Sequence, residues 1–163
     1  MKYNLGCGPT KKEGYRNVDL DQKYSPDLCM DIRELVCEDE SVDEIIASHI
    51  LEHVTSSEAR GMLRKFYRWL IPGGILYLSM PDWSALLELV HRKSKSPALF
   101  DVMFGHYDKQ SIMTHQWLMS EESLRDELGF IGFIVEGKFQ GTGGSDNFTV
   151  DNIPISLNLE CRK

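Results

Sequence analysis

The chain lacks several features that would mark it as a specialised kind of protein. No apolar run approaches the roughly 20 residues that a membrane-spanning helix needs. Positive charge is scarce: 18 basic residues stand against 25 acidic ones, for a net charge of −7. A nucleic-acid duplex or an anionic lipid surface attracts the opposite sign, so neither is expected as a partner. The one basic stretch, "HRKSK" from His91 to Lys95, reads as a solvated helix end. Four cysteines, Cys7, Cys29, Cys37 and Cys161, form no C-x-x-C pair and show no metal-ligand rhythm. With no secretion signal to be read, they are expected to be reduced thiols of a cytoplasmic protein. Internal repeats, linkers and low-complexity segments are also missing. A length of 163 residues then suits a single domain, residues 1–163.

What the sequence does contain is an alternation of strand and helix signals. "KYNLGCG" reads as a buried strand entering a glycine turn, "YRNVDLD" as a second strand ending in acid, and Leu28 to Ile32 as a weaker third. A fourth is expected near Glu44 to Ser48. Thr55 followed by Glu58 forms a capping box for a helix. Its apolar face carries Ala59, Met62, Leu63, Phe66 and Leu70, and Pro72-Gly73-Gly74 is expected to end it. The near-continuous apolar run "ILYLSMP", Ile75 to Pro81, predicts a fifth strand in a sheet covered on both faces. Leu86, Leu87, Leu89 and Val90 predict a further helix. Residues 97–117 show no periodicity and read as a binding loop or lid. Ser120 can cap a helix that ends at Gly129, and "FIVEGKF" and "ISLNLECR" close the chain as an antiparallel pair at one edge. The expected fold class is α/β, a Rossmann-like, doubly wound, mostly parallel sheet with its binding crevice at the carboxyl ends of the early strands.

Chemistry-bearing residues cluster at those strand ends. Gly6-Cys7-Gly8 lets the backbone approach a ligand closely and aim N–H groups at an anion. No third glycine completes the dinucleotide pattern. The second strand ends in Asp19, placed to accept hydrogen bonds from ribose hydroxyls. The third ends in Asp31, where a carboxylate and the Ile32 N–H can read an adenine edge.

Taken in order, "LGCG", "VDLD", "MDIREL", "HILEHV", "LIPGGILYLSMPD" and "ELGF" resemble the motifs of class I S-adenosylmethionine-dependent methyltransferases, most nearly the small methyltransferase-11 type. The resemblance spans about residues 3 to 135. It implies a seven-stranded sheet with a reversed strand and S-adenosylmethionine as cofactor. Gly6, Cys7 and Gly8 would hold its methionine end, Asp19 the ribose, and Leu20 would lie beneath the adenine. Asp31 and Ile32 would contact the adenine edge, with Ser48 and His49 along the sulfonium. One departure stands out: only "PTKKEGY" separates Gly8 from Arg16, too short for the usual crossover helix. The fold is therefore expected to be abbreviated at its N-terminus, with Lys11 or Lys12 near the cofactor carboxylate. A neighbouring subunit could cover the exposed first strand, so a homodimer is entertained.

His49, Glu52 and His53 also spell H-x-x-E-H, a zinc-hydrolase pattern that needs both histidines one turn apart on a helix. Here His49 directly follows an apolar strand and the capped helix begins only near Ser56. No metal is therefore expected, and Glu52 and His53 fall near the pocket rim. Three readings are carried: a methyltransferase for a small-molecule or glycan-type acceptor, a catalytically silent module binding a nucleotide-like ligand or a protein, and the zinc hydrolase. For the first, the candidate bases are His115, His106 and His49, with Asp82 and Tyr107 nearby. Trp83 and Trp117 are expected mainly in packing roles.

Overall fold

A computed structural model describes residues 1–107, 112–141 and 147–163. Among the described residues, eleven strands and four α-helices follow in chain order. The early strands are β1 (Lys2–Leu5), β2 (Arg16–Asp19), β3 (Leu28–Cys29) and β4 (Val42–Ser48), followed by α1 (Ser56–Trp69) and β5 (Leu70–Pro81). Next come α2 (Trp83–His91), α3 (Pro97–Phe104) and the hairpin of β6 (Gly105–Tyr107) and β7 (Ile112–Thr114). The chain ends with α4 (Glu121–Ile131), β8 (Ile134–Lys138), a small ribbon of β9 (Thr149–Val150) and β10 (Ile153–Pro154), and β11 (Ser156–Arg162).

The main sheet has seven strands in the order β3-β2-β1-β4-β5-β11-β8. The first five are parallel, whereas β11 runs antiparallel to both β5 and β8 and so lies one place in from the edge. Connections from β1 and β4 leave in opposite directions, which opens a crevice beyond their carboxyl ends.

Register explains the two faces. Tyr3 pairs with Ile45, Ile45 with Leu76, and Leu76 with Cys161; Leu5, Ala47, Leu78 and Leu159 form the next row. These rows pack against Ala59, Met62, Leu63 and Phe66 of α1 and Leu124 and Leu128 of α4 in the main core. The opposite face is mixed: Lys2, Glu44, Ile75 and Arg162 form one row, and Asn4, Ile46, Tyr77 and Glu160 the next, with Ile46 buried. Alternate residues of β11 are buried accordingly. The expectation that β5 is covered on both faces holds for its carboxyl-terminal half, where Leu78 to Pro81 are all buried, whereas Ile75 and Tyr77 on the second face are only half-buried. Helices α2 and α3 build a second cluster, of Ala85, Leu86, Leu89 and Leu99, with Val150 and Ile155 of the late ribbon segment.

The polar stretch of that face borders a short link. Only residues 6–15 connect the parallel pair β1 and β2, without a helix. Two asparagines, each under 5% exposed, satisfy that loop. Asn17 Oδ1 accepts from Asn4 Nδ2 (3.0 Å) and the Lys12 amide (2.7 Å). Asn17 Nδ2 donates to the Lys12 and Tyr15 carbonyls and to Asp27, and Asn4 Nδ2 donates to the Thr10 carbonyl. Side-chain amides replace the ladder that a helix would have supplied within itself.

Elsewhere the local signals act as expected. Thr55 and Glu58 form the capping box of α1, and Ser120 caps α4. Helix α4 continues past Gly129 to Ile131, and β3 is shorter than its signal. Pro72-Gly73-Gly74 lies inside β5 rather than after α1, because Gly73 and Gly74 pair with Lys163. Residues 97–104 form α3, although no apolar period announces it. Among the described residues no helix is long and apolar enough to cross a membrane.

Replacing Asn17 by alanine removes the acceptor of the Lys12 amide and of one of the two Asn4 side-chain N–H groups, and the donor to the Lys12 and Tyr15 carbonyls. We expect a loss of about 2–4 kcal/mol in urea denaturation, against under about 0.5 kcal/mol for the exposed Lys23→Ala. Equal effects would show that the clasp does not hold the loop.

Candidate active site

The glycine turn after β1 is shaped by its neighbours. Gly6 has φ +61°, and a Cβ on it would lie 2.1 Å from Ile50 Cγ2, so the loops after β1 and β4 touch across the switch point. Gly8, at φ +49°, faces open space. The anion expected against this turn is internal: the Gly8 amide donates to Asp19 Oδ2 (2.8 Å), and the Cys7 amide to the Val18 carbonyl. Cys7 itself is buried. These two amides therefore do not point at a ligand, which corrects the anion-cradle expectation. Lys11 is likewise engaged, with the Ser25 carbonyl and Asp27.

Asp19 Oδ1 also accepts from the Asp21 amide (2.8 Å), so both carboxylate oxygens are fixed in direction. Leu20, beside it, is 71% exposed, a bare apolar side chain at the crevice. Asp19 pairs with Cys29 across β2 and β3, which brings Asp31 to the neighbouring strand end. Asp31 accepts from Arg33 Nε and Nη2, and the guanidinium hydrogen bonds hold its carboxyl below the usual carboxylate range. Ile32 packs against the main core. Glycine turn, Asp19, Leu20 and Asp31 thus stand at three adjacent strand ends, with Ser48 and His49 at the fourth.

Beyond β4 the chain turns sharply. His49 takes φ +54°, uncommon for a residue with a side chain, and its amide donates to the Ser79 carbonyl. Residues 51–53 then form a single 3-10 turn before Thr55 caps α1. His49 and His53 are therefore not on one helix, and the zinc-hydrolase arrangement is absent. Leu51 is buried as expected, and Glu52 is completely buried rather than at a rim.

The turn borders a cavity of about 310 Å³ over the ends of β4 and β5, lined by His49, Glu52, His53, Pro81, His115 and Ser156, among others. Glu52 Oε1 meets His49 Nδ1 at 2.9 Å, and His49 Nε2 meets Ser156 Oγ at 3.0 Å. Both ring nitrogens of His49 are occupied, so it positions other groups and is not a free base. Burial opposes ionisation of Glu52, but the His49 hydrogen bond and the fields of His49 and His53 outweigh it. The carboxyl is held below its ordinary range. His115 is pushed the same way, chiefly by burial and against the field of Glu52. The segments are stitched by backbone: the Gln116 amide donates to the Glu52 carbonyl (2.6 Å) and the His115 amide to the Phe104 carbonyl (3.0 Å). His106 stands opposite Met113 in the β6–β7 hairpin, and its side chain lies outside the described set. Asp82 caps α2, Trp117 is core and Trp83 packs on the second cluster.

Sheet order and the reversed β11 make a fold shared with solved S-adenosylmethionine-dependent methyltransferases. Residues 10–78 match the family described as "Methyltransferase domain". The whole fold is shared with solved structures. A SAM-dependent methyltransferase from Archaeoglobus fulgidus is 16% identical with a TM-score of 0.65, over 99% of this chain and 85% of that one. An S-adenosylmethionine-dependent methyltransferase from Mesorhizobium loti is 17% identical with a TM-score of 0.64, over 99% and 90%. A 1,6-didemethyltoxoflavin-N1-methyltransferase from Burkholderia thailandensis, solved with 1,6-didemethyltoxoflavin and S-adenosylhomocysteine, is 14% identical with a TM-score of 0.63, over 99% and 70%. A comparison with curated sequences gives no match.

The two glycines make a sharp test of the turn. Gly6→Ala should cost about 2–5 kcal/mol in chemical denaturation, combining left-handed strain with overpacking on Ile50. Gly8→Ala should cost only about 1–2 kcal/mol, from strain alone. Equal losses would contradict the packed switch point.

Proposed function

We propose that the protein transfers the methyl group of S-adenosylmethionine to a small-molecule or glycan-type acceptor seated in the cavity over β4 and β5. The observation that carries this is the position of that cavity. Its wall begins at His49, the residue directly after β4, on the flank of the crevice where class I enzymes keep the sulfonium. A volume of about 310 Å³ is that of a small-ligand site.

The cofactor would lie along the strand ends. Each Asp19 oxygen keeps a second lone pair for ribose hydroxyls. Leu20 would support the adenine, Asp31 and Ile32 its edge, and Ser48 and His49 the sulfonium. With the Cys7 and Gly8 amides engaged internally, the Gly6–Gly8 turn contributes shape: open space at Gly8 admits the methionine end. The sulfonium, when bound, supplies the reactive methyl carbon. The acceptor's lone pair forms the new bond in line as the methyl–sulfur pair returns to sulfur. Holding those atoms in line is worth roughly 7–11 kcal/mol. Of the candidate histidines, His49 is fully engaged, whereas His115 keeps a buried Nδ1 without a hydrogen-bond partner and borders the cavity. We assign His115 to acceptor activation.

Calorimetric titration with S-adenosylhomocysteine tests the cofactor site. Wild-type protein should bind it, and Leu20→Asp should weaken binding at least tenfold with little change in thermal midpoint, because Leu20 is largely exposed. Absence of binding to the wild type, or indifference to Leu20→Asp, contradicts the placement. Release of S-adenosylhomocysteine during turnover with an acceptor panel separates the enzyme from a silent binding module.

A further inference from the structure

Three buried polar atoms around the cavity have no hydrogen-bond partner: Glu52 Oε2, His53 Nδ1 and His115 Nδ1. Each orphan of this kind costs about 1–3 kcal/mol, and native interiors rarely leave three together. The same three residues offer ligand atoms that all lie within 4.8 Å of one another. The two imidazoles stand 5.0 Å apart, centroid to centroid, at 57°. We propose that Glu52, His53 and His115 bind a divalent transition-metal ion, zinc being the expected species, with its open positions facing the acceptor cavity.

Two imidazole nitrogens and one carboxylate oxygen suit zinc, manganese, iron or cobalt rather than magnesium or calcium. Metal–ligand bonds near 2.0–2.2 Å require these atoms to close inward by roughly an ångström, within the reach of side-chain torsions. The surroundings are built for it. His49 holds the other Glu52 oxygen at 2.9 Å and is itself fixed by Ser156, the outer-shell support that orients metal-bound carboxylates. Gln116 anchors both halves, its amide on the Glu52 carbonyl and its side chain on the His53 carbonyl (2.9 Å). Three protein ligands with positions left open is the pattern of a catalytic rather than a structural ion.

Resting on the methyltransferase reading, the ion also narrows the acceptor to an oxygen nucleophile. A hydroxyl coordinated there becomes acidic and loses its proton to water at the cavity mouth. Its oxygen then takes the methyl group, the carbon–sulfur pair returns to sulfur, and neutral S-adenosylhomocysteine leaves. His115 acts by holding the ion.

The test is metal titration of the chelator-stripped full chain. Zinc is followed by calorimetry, and cobalt by its visible absorption. One ion per chain at micromolar affinity or tighter is expected, weakened at least 100-fold by His115→Ala and by the near-isosteric Glu52→Gln. His49→Ala should weaken it 10- to 100-fold, and His91→Ala, at the end of α2, should not change it. No saturable ion on the wild type at about 100 µM, or undiminished binding in a folded variant, overturns the site; water alone then fills the cluster. If neither variant folds, the wild-type cobalt spectrum decides, since ligation by two histidines and a carboxylate leaves its own signature. S-adenosylhomocysteine is titrated on the same samples. Ion without nucleoside keeps the metal site and removes the methyltransferase reading, whereas nucleoside without ion does the reverse.

Discussion

One constraint organises this molecule: β1 and β2 run parallel although only residues 6–15 connect them. A parallel crossover normally carries a helix. Without one, the loop's backbone groups need other partners, and Asn4 and Asn17 supply them from inside the sheet. The same economy leaves a polar stretch on the second face, where Lys2 pairs with Glu44, while Ile46, Ser79 and Pro81 on that face are buried towards the strands' carboxyl ends. The core is concentrated on the other side, between the sheet and α1 and α4. What the short link preserves is the position of the strand ends, because β1 still lies between β2 and β4.

That preserved geometry sets the chemistry. Asp19 is aimed by two backbone amides, and the loops after β1 and β4 meet at Gly6 and Ile50. On the far side of β4, the left-handed turn at His49 sends the chain straight into a 3-10 turn that buries Glu52 beside His53. The incoming segment at residues 115–116 is hydrogen-bonded to both the turn and α3. In the proposed reading the nucleoside and the acceptor meet at one boundary residue, His49. A buried carboxylate among imidazoles is costly unless it is held and balanced. Its presence here, with one oxygen engaged and one not, argues for a purpose at the cavity and not for stability alone.

Much of the frame was readable in the chain. The capping box of α1, the buried helix faces and the alternation of strands and helices are local signals, and they survive folding. So did the acids at strand ends, whose positions depend only on where strands stop. Losses arose where tertiary contacts decide. Pro72-Gly73-Gly74 looks like a helix stop, yet pairing with Lys163 draws it into β5. Helix α3 lacks an apolar period because only Leu99 is buried in it, although Ser96 followed by Pro97 was an available start signal. The asparagine clasp has no sequence signature, since each residue alone is just a polar strand position. The H-x-x-E-H spelling places no two histidines on one helix, yet Glu52 and His53 come within 4.8 Å of His115, 62 positions downstream of His53. No linear pattern announces a partner brought in by a distant segment.

The central claim is that the carboxyl ends of β1, β2, β3 and β4 form one seat for a single sulfonium nucleoside, with the cavity at its reactive end. A crystal structure with S-adenosylhomocysteine bound tests it most directly. The account places adenine over Leu20, ribose on Asp19, and sulfur beside His49 at the mouth of the cavity that holds His115. A nucleoside bound elsewhere on the molecule, or seated with its sulfur turned away from that cavity, would contradict it.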